Sequence, residues 1–136
     1  MNLTSDNKSI GVITAKDTPY GLLFIPNLTD LSPGIHGFHV HVNPICDKKG
    51  MAAGGHLDPD KTDKHLGPFT NKGHLGDLPI LIADKDGHST LPVLAPRLKL
   101  QDIKHHSLMI HEGGDNYSDT PKLGGGGERV ACGVVE

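Results

Sequence analysis

There is no tryptophan in this sequence, and only three Phe and two Tyr. A core with so few large aromatics must be filled by Val, Ile and Leu, which suits a small β fold. Runs of Lys and Arg are also missing and the net charge is −3, so no nucleic-acid face is marked. The longest apolar runs, 79–83 and 91–96, are far too short to span a bilayer. No segment of helical length has helical period; residues 99–104 could form one turn at most. No secretory signal pattern opens the chain, which implies either a cytosolic protein or a mature or trimmed form. Cysteine is scarce. Cys46 and Cys132 match no CxxC pattern and are either a pair of buried thiols or one long-loop disulfide, the latter pointing to an oxidising compartment.

What is present is glycine, proline and histidine. The 18 Gly and 10 Pro are high for a helical protein and ordinary for strands joined by long loops. Apolar and polar residues alternate with period two at both ends of the chain. Strands are expected near 1–6, 9–17, 20–28, 36–42, 79–84, 88–94, 105–111 and 130–135. Turn signals lie between several of them, and "DKDG" at 84–87 predicts a hairpin. Residues 43–78 and 112–128 keep no period and read as two long loops. The class is all-β, an eight-stranded Greek-key barrel or sandwich with two long functional loops. Its length, 136 residues, makes 1–136 a single domain with enough chain to bury a core. A structureless loop over 43–78 is unusual in a compact domain, and it has few apolar residues to tie it down. A metal and a disulfide would both serve.

Histidine is the outlier, at 10 residues, and such an excess asks for a metal or a pH role. In "GFHVH", His39 and His41 stand at i and i+2 and so face the same side of a strand. The loop then supplies His56, His65 and His74 at intervals of nine, with Asp77 three residues beyond. Three imidazoles and a carboxylate make a tetrahedral zinc set. Spacing alone leaves Asp58 and Asp63 open as alternatives. "MIHEGGD" places His111 at the end of a strand.

The motifs "GFHVH", "GGHLDP", "KHLGP", "GHLGDLP", "APRL", "IHEGGDNYSD" and "GGGGERVACGVV" occur in this order and cover nearly the whole chain. With them the sequence resembles the copper,zinc superoxide dismutases, specifically the bacterial periplasmic type. The resemblance implies an eight-stranded Greek-key fold of the immunoglobulin-like sandwich kind. It implies one copper and one zinc ion per chain. The copper ligands would be His39, His41, His56 and His111; the zinc ligands would be His56, His65, His74 and Asp77, with His56 bridging. Cys46 and Cys132 match the family disulfide, Arg129 the arginine beside the copper. Asp115 matches the carboxylate that joins a copper-ligand histidine to a zinc-ligand histidine. His36, His88, His105 and His106 match no ligand position and are expected to be structural or solvated.

The implied function is conversion of superoxide to dioxygen and hydrogen peroxide by Cu(II)/Cu(I) cycling. His56 and Arg129 would be the catalytic side chains. Four imidazoles suit tetragonal Cu(II), and zinc, with no redox chemistry, cannot carry the electron. Arg129 stays charged at any useful pH and would hold the anion. Because the net charge would repel superoxide, local cations must focus it, and Lys61, Lys64 and Lys72 are the candidates. A disulfide closing roughly 85 residues would contribute about 4–5 kcal/mol in the chain-entropy account. Neither nucleic acid nor membrane is expected as a partner, and the oligomeric state is a monomer or a homodimer. The expected location is the periplasm, the signal peptide being absent from this chain. Two other readings remain: a non-catalytic copper- or zinc-binding module on the same fold, and a zinc-stabilised structural β domain. The last would leave His39, His41 and His111 idle.

Overall fold

The computed structural model describes residues 1–136. In chain order the strands are β1 (Asn2–Leu3), β2 (Gly11–Thr18), β3 (Gly21–Leu28), β4 (Gly34–His36), β5 (Phe38–His41), β6 (Leu81–Ala83), β7 (Val93–Ala95), β8 (Ser107–His111) and β9 (Arg129–Val134). One helical turn, α1 (Leu100–Ile103), lies between β7 and β8, within the segment where a turn was expected. All pairings are antiparallel. One sheet has the order β1-β9-β8-β5, a second β2-β3-β7, and β4 pairs with β6 in a two-stranded ribbon. No helix is long and apolar enough to cross a membrane.

The alternation seen in the sequence sets which side faces in. On β3, Leu22, Phe24, Pro26 and Leu28 are buried and the residues between them are more exposed. On β5, Phe38 and Val40 enter a core of 17 buried apolar residues. Phe38 meets Phe24 edge to face with ring centroids 5.3 Å apart. The two buried Phe rings thus pack against each other within a core otherwise built of aliphatic side chains.

Two expectations change in detail. The strand anticipated at 36–42 is divided at Gly37. Before it, β4 pairs with β6; after it, β5 pairs with β8. Gly37 spends its own backbone groups elsewhere, donating its N–H to Gly113 O and accepting from His111 N. This is a chain that changes sheets at a corner, and period-two patterning cannot report a change of partner. Nine strands result where eight were expected.

The second change concerns the hairpin at 84–87. The turn forms, with Asp84 N donating to His88 O and the Asp84 carboxylate accepting from Asp86 N and His88 N. Its two arms then part: β6 joins β4, and β7 joins β3. Turn chemistry is local, and it does not decide which neighbour each arm takes.

Cys46 and Cys132 form a disulfide with Cα atoms 5.8 Å apart, joining the start of the 43–78 loop to β9 across 86 residues. Phe38 supports both the core and the strand that carries His39 and His41. Phe38→Ala is expected to cost about 3–5 kcal/mol. Urea unfolding followed by circular dichroism measures it; a loss below about 1 kcal/mol would contradict this account of the core.

Candidate metal centre

The face of β5 opposite the core carries His39 and His41, 1% and 0% exposed. At the end of β8 a register shift between Ile110 and His111 turns His111 toward the same side. Bulges of this kind re-aim a side chain. The free edge of β5 is completed by the long loop. Val40 N donates to Gly76 O, Leu57 N to Val40 O, and Leu78 N to Phe38 O. Single bridges then set His56 opposite His41, and Asp77 opposite His39. Gly76 is required at this point, because a Cβ there would overlap the Val40 carbonyl and the Leu57 main chain.

Two clusters result. Ligand atoms of His39, His41, His56 and His111 lie within 4.8 Å of one another, and so do those of His39, His56, His65 and Asp77. His74 adjoins the second cluster. Its Nδ1 is 3.2 Å from Asp77 Oδ1 and 3.3 Å from His56 Nδ1. Asp77 Oδ1 also faces His56 Nδ1 at 2.9 Å and His65 Nδ1 at 3.1 Å. Between His39 and His74 as the fourth member of that group, His74 is the better fit. Its Nδ1 shares the same carboxylate oxygen as the other two rings, whereas His39, with Nε2 on Asp115, has one free nitrogen and is also a member of the first cluster.

The outer side of the cluster is held by oxygens. Asp115 Oδ2 accepts from His39 Nε2 and Asp115 Oδ1 from His65 Nε2, each at 2.8 Å. His41 Nδ1 meets Gly54 O at 2.8 Å, and His111 Nδ1 meets Gly127 O at 3.0 Å. These bonds fix the tautomers, so the lone pairs of His41 Nε2 and His111 Nε2 point inward. His39 Nδ1, His41 Nε2, His65 Nδ1, His111 Nε2 and Asp77 Oδ2 are buried with no hydrogen-bond partner. Buried polar atoms are normally satisfied. Five converging orphans are the mark of an ion site, and a set of imidazoles with one carboxylate fits copper and zinc.

Burial pushes His39 down to about 3, His41 to about 2 and His111 to about 4, so all three are neutral imidazoles at physiological pH. Burial also acts on His65, but its hydrogen bond to Asp115 and the Asp77 carboxylate beside it outweigh burial and raise the pKa to about 9. Burial would raise the carboxylates of Asp77 and Asp115 too. Their histidine donors reverse this and hold both well below the usual range.

The other expected residues take separate places. Arg129 opens β9 opposite His111 and donates from Nη1 to Gly50 O at 2.8 Å. Its charge helps to depress the pKa values of His41 and His111. Lys61, Lys64 and Lys72 are exposed and form no ion pair. Asp58 is used within its own turn, accepting from Thr62 N and Asp63 N, and Asp63 is exposed. His36 is buried, with ring nitrogens 2.6 Å from His111 O and 2.7 Å from Ser32 O, a structural role. His88 and His105 are exposed.

Sequence reading missed several contributors. The carbonyls of Gly54 and Gly127 leave no trace in residue type. Tyr117, inside the quoted "DNYSD", accepts from Ile80 N and packs its side chain over Gly67. Gly124, at φ 77°, lies so close to Asp115 that a Cβ would overlap its carboxylate.

Comparison with known proteins decides the family. The copper/zinc superoxide dismutase model matches residues 9–135. The chain belongs to the copper/zinc superoxide dismutase family. It is 62% identical over 139 residues to Superoxide dismutase [Cu-Zn] 1 of Salmonella typhimurium, covering 95% of this chain and 78% of that one. Among solved structures, the Cu/Zn superoxide dismutase from Brucella abortus superimposes with a TM-score of 0.91 at 51% identity, covering 99% of this chain and 94% of that one. The monomeric enzyme from Salmonella enterica, solved in solution, gives 0.86 at 51% identity, covering 99% and 96%. The fold is the Greek-key β fold of this family, as expected from the strand pattern.

In the metal-free protein, imidazole NMR should place the His65 transition near pH 9, with His39, His41 and His111 still neutral at pH 7. The folded pKa exceeds the unfolded value of about 6.5. This group therefore stabilises the metal-free fold fully below that pH, and the contribution is lost as pH rises through 9. Asp115→Asn should move the transition downward. A His65 transition at or below 6.5 would contradict the network.

Proposed function

We propose that this protein is a superoxide dismutase acting at adjoining copper and zinc sites. It turns two superoxide anions and two protons into dioxygen and hydrogen peroxide. The observation that carries the reading is the group of buried, unpartnered ligand atoms with Arg129 set opposite His111. Relatives that bear this name at up to 62% identity support it. We take residues 1–136 as one domain with this activity.

His39 Nδ1, His41 Nε2, His56 Nε2 and His111 Nε2 would hold copper. His56 Nδ1, His65 Nδ1, His74 Nδ1 and Asp77 Oδ1 would hold zinc, which makes His56 the bridge. When bound, copper supplies the one-electron couple and zinc a fixed positive charge. The chain supplies the rest. His39 and His41 sit on a packed strand, which fixes their main chain, while Asp115 and Gly54 O orient their rings. His56 can take a proton on Nε2 while Nδ1 stays anchored, and return it to the reduced substrate. Arg129, with Nη1 held by Gly50 O, keeps its remaining donors for the anion. Burial lowers its pKa, but from so high a value that it stays cationic. An anion-holding arginine at the cluster argues for turnover over simple metal storage.

Lys61, Lys64 and Lys72 are the proposed steering charges, being exposed and unpaired on the loop that carries the zinc ligands. The disulfide fits an oxidising compartment, and we place the protein in the periplasm. The Salmonella enterica relative is described as monomeric, and we propose the same state here.

The first test is superoxide consumption by the copper- and zinc-loaded protein, with cyanide as the copper-blocking control. Fast, cyanide-sensitive consumption is expected; no activity at one copper and one zinc per chain would leave only the metal-binding module. His41→Ala should lose copper and activity while keeping the fold by circular dichroism. Arg129→Ala should keep both metals by elemental analysis and slow turnover about tenfold or more. Neutralising the three lysines together should lower the rate and flatten its dependence on salt. An unchanged salt slope would remove them from the steering role.

A further inference from the structure

One expected ligand is held unlike the others. His39 and His65 have their outer ring nitrogens on Asp115, His41 on Gly54 O, and His111 on Gly127 O. The outer nitrogen of His74 has no such partner: its nearest carboxylate oxygen, Asp58 Oδ2, is 4.0 Å from Nε2, beyond hydrogen-bond reach. Ring orientation at His74 must come from somewhere else.

It is the main chain that is held. Arg97 forks onto consecutive carbonyls, donating from Nη1 to His74 O at 3.0 Å and from Nη2 to Gly73 O at 3.2 Å. His74 O also accepts from Asp77 N. One guanidinium thus grips a carbonyl shared by two expected ligands. The segment between His65 and His74 is closed on itself by His74 N donating to Lys64 O. Its other end is tied through His65 N to the Asp119 carboxylate. Arg97 has a firm base, because the next residue, Leu98, is fully buried in the core. Planar two-donor geometry suits two adjacent oxygens, which one ammonium cannot serve equally.

We propose that Arg97 is a positioning residue for the second metal: it orients His74 through the backbone and thereby sets how tightly zinc is held, without contributing to the copper site. The proposal rests on the two-metal reading above. Groups that orient metal ligands typically change affinity 10–100-fold when removed.

The test uses the fully loaded protein and variants Arg97→Ala, Arg97→Lys and Leu98→Ala. Zinc affinity is read by competition with a chromogenic chelator, copper by its visible absorption, and the zinc-site geometry by the spectrum of cobalt substituted there. Arg97→Ala should weaken zinc about 10–100-fold and shift the cobalt bands. Copper absorption should be preserved. Arg97→Lys should recover part of the loss. Leu98→Ala destabilises the same corner and should lower the melting temperature while leaving zinc affinity per folded molecule unchanged. The proposal is overturned if Arg97→Ala binds zinc as tightly as the unsubstituted protein, or if Leu98→Ala weakens zinc equally, since the effect would then be general loosening. If Arg97→Ala does not fold, Arg97→Lys decides alone: unchanged zinc affinity and cobalt bands overturn the proposal. An unsubstituted protein that takes up no zinc overturns the two-metal reading itself, and shows this before any variant is compared.

Discussion

The carboxylate of Asp115 joins the two parts of this molecule that differ most. One oxygen holds His39 on a packed strand, and the other holds His65 on a loop with little apolar content. Tyr117 N adds a third donor. Burial alone would make such a charge unfavourable, and it is the donors that keep it ionised. Remove that carboxylate and two imidazoles lose their orientation together, one from each cluster. The long loops are therefore ordered by polar satisfaction, with Asp77 performing the same service among three ring nitrogens on the opposite side. A network of this kind is stable only when its members are all satisfied. The five inward-pointing orphans show where the protein alone cannot complete it.

The barrel and the centre share β5, and that sharing explains why so small a core suffices to place the site. Phe38 and Val40 fix the strand from one side and so set the main-chain positions of His39 and His41, whose rings are then oriented by Asp115 and Gly54 O. The loops in turn need support from the strand. Their segments at 55–57 and 76–78 pair along the free edge of β5, so His56 and Asp77 inherit their register from it. Gly76 and Gly124 are among the places where the approach is so close that only a residue without a side chain fits.

Much of this is legible in the sequence alone. Alternation exposed the pairing of His39 with His41, because period two is a property of every strand whatever sheet it joins. It also marked β2, β3, β8 and β9. It could not reveal that the chain changes sheets at Gly37, nor that the arms of the turn at 84–87 separate, since both depend on which neighbour is nearest in space. The loop histidines were visible as a cluster by composition and by family resemblance, but not their path: nothing in "KHLGPFTNKGHLGD" announces that His74 N closes onto Lys64 O. Supports made by main-chain carbonyls were invisible in principle, because every residue carries one. His36 was legible only as a residue without a ligand role. Its burial between two carbonyls depends on the sheet change at the next residue.

The same division bears on charge. At physiological pH the imidazoles of His39, His41 and His111 are neutral, so this face of the centre contributes no cation of its own. The net charge of the chain is negative. The positive charge felt by His41 and His111 then comes from Arg129. That guanidinium sits only three residues before Cys132 and is gripped by Gly50, four residues beyond Cys46. The disulfide thus closes a short circuit around the arginine: β9, the cross-link, the loop from Cys46 to Gly50, and back to Nη1. A covalent tie that limits the unfolded chain also limits how far this one charge can move from the centre it serves.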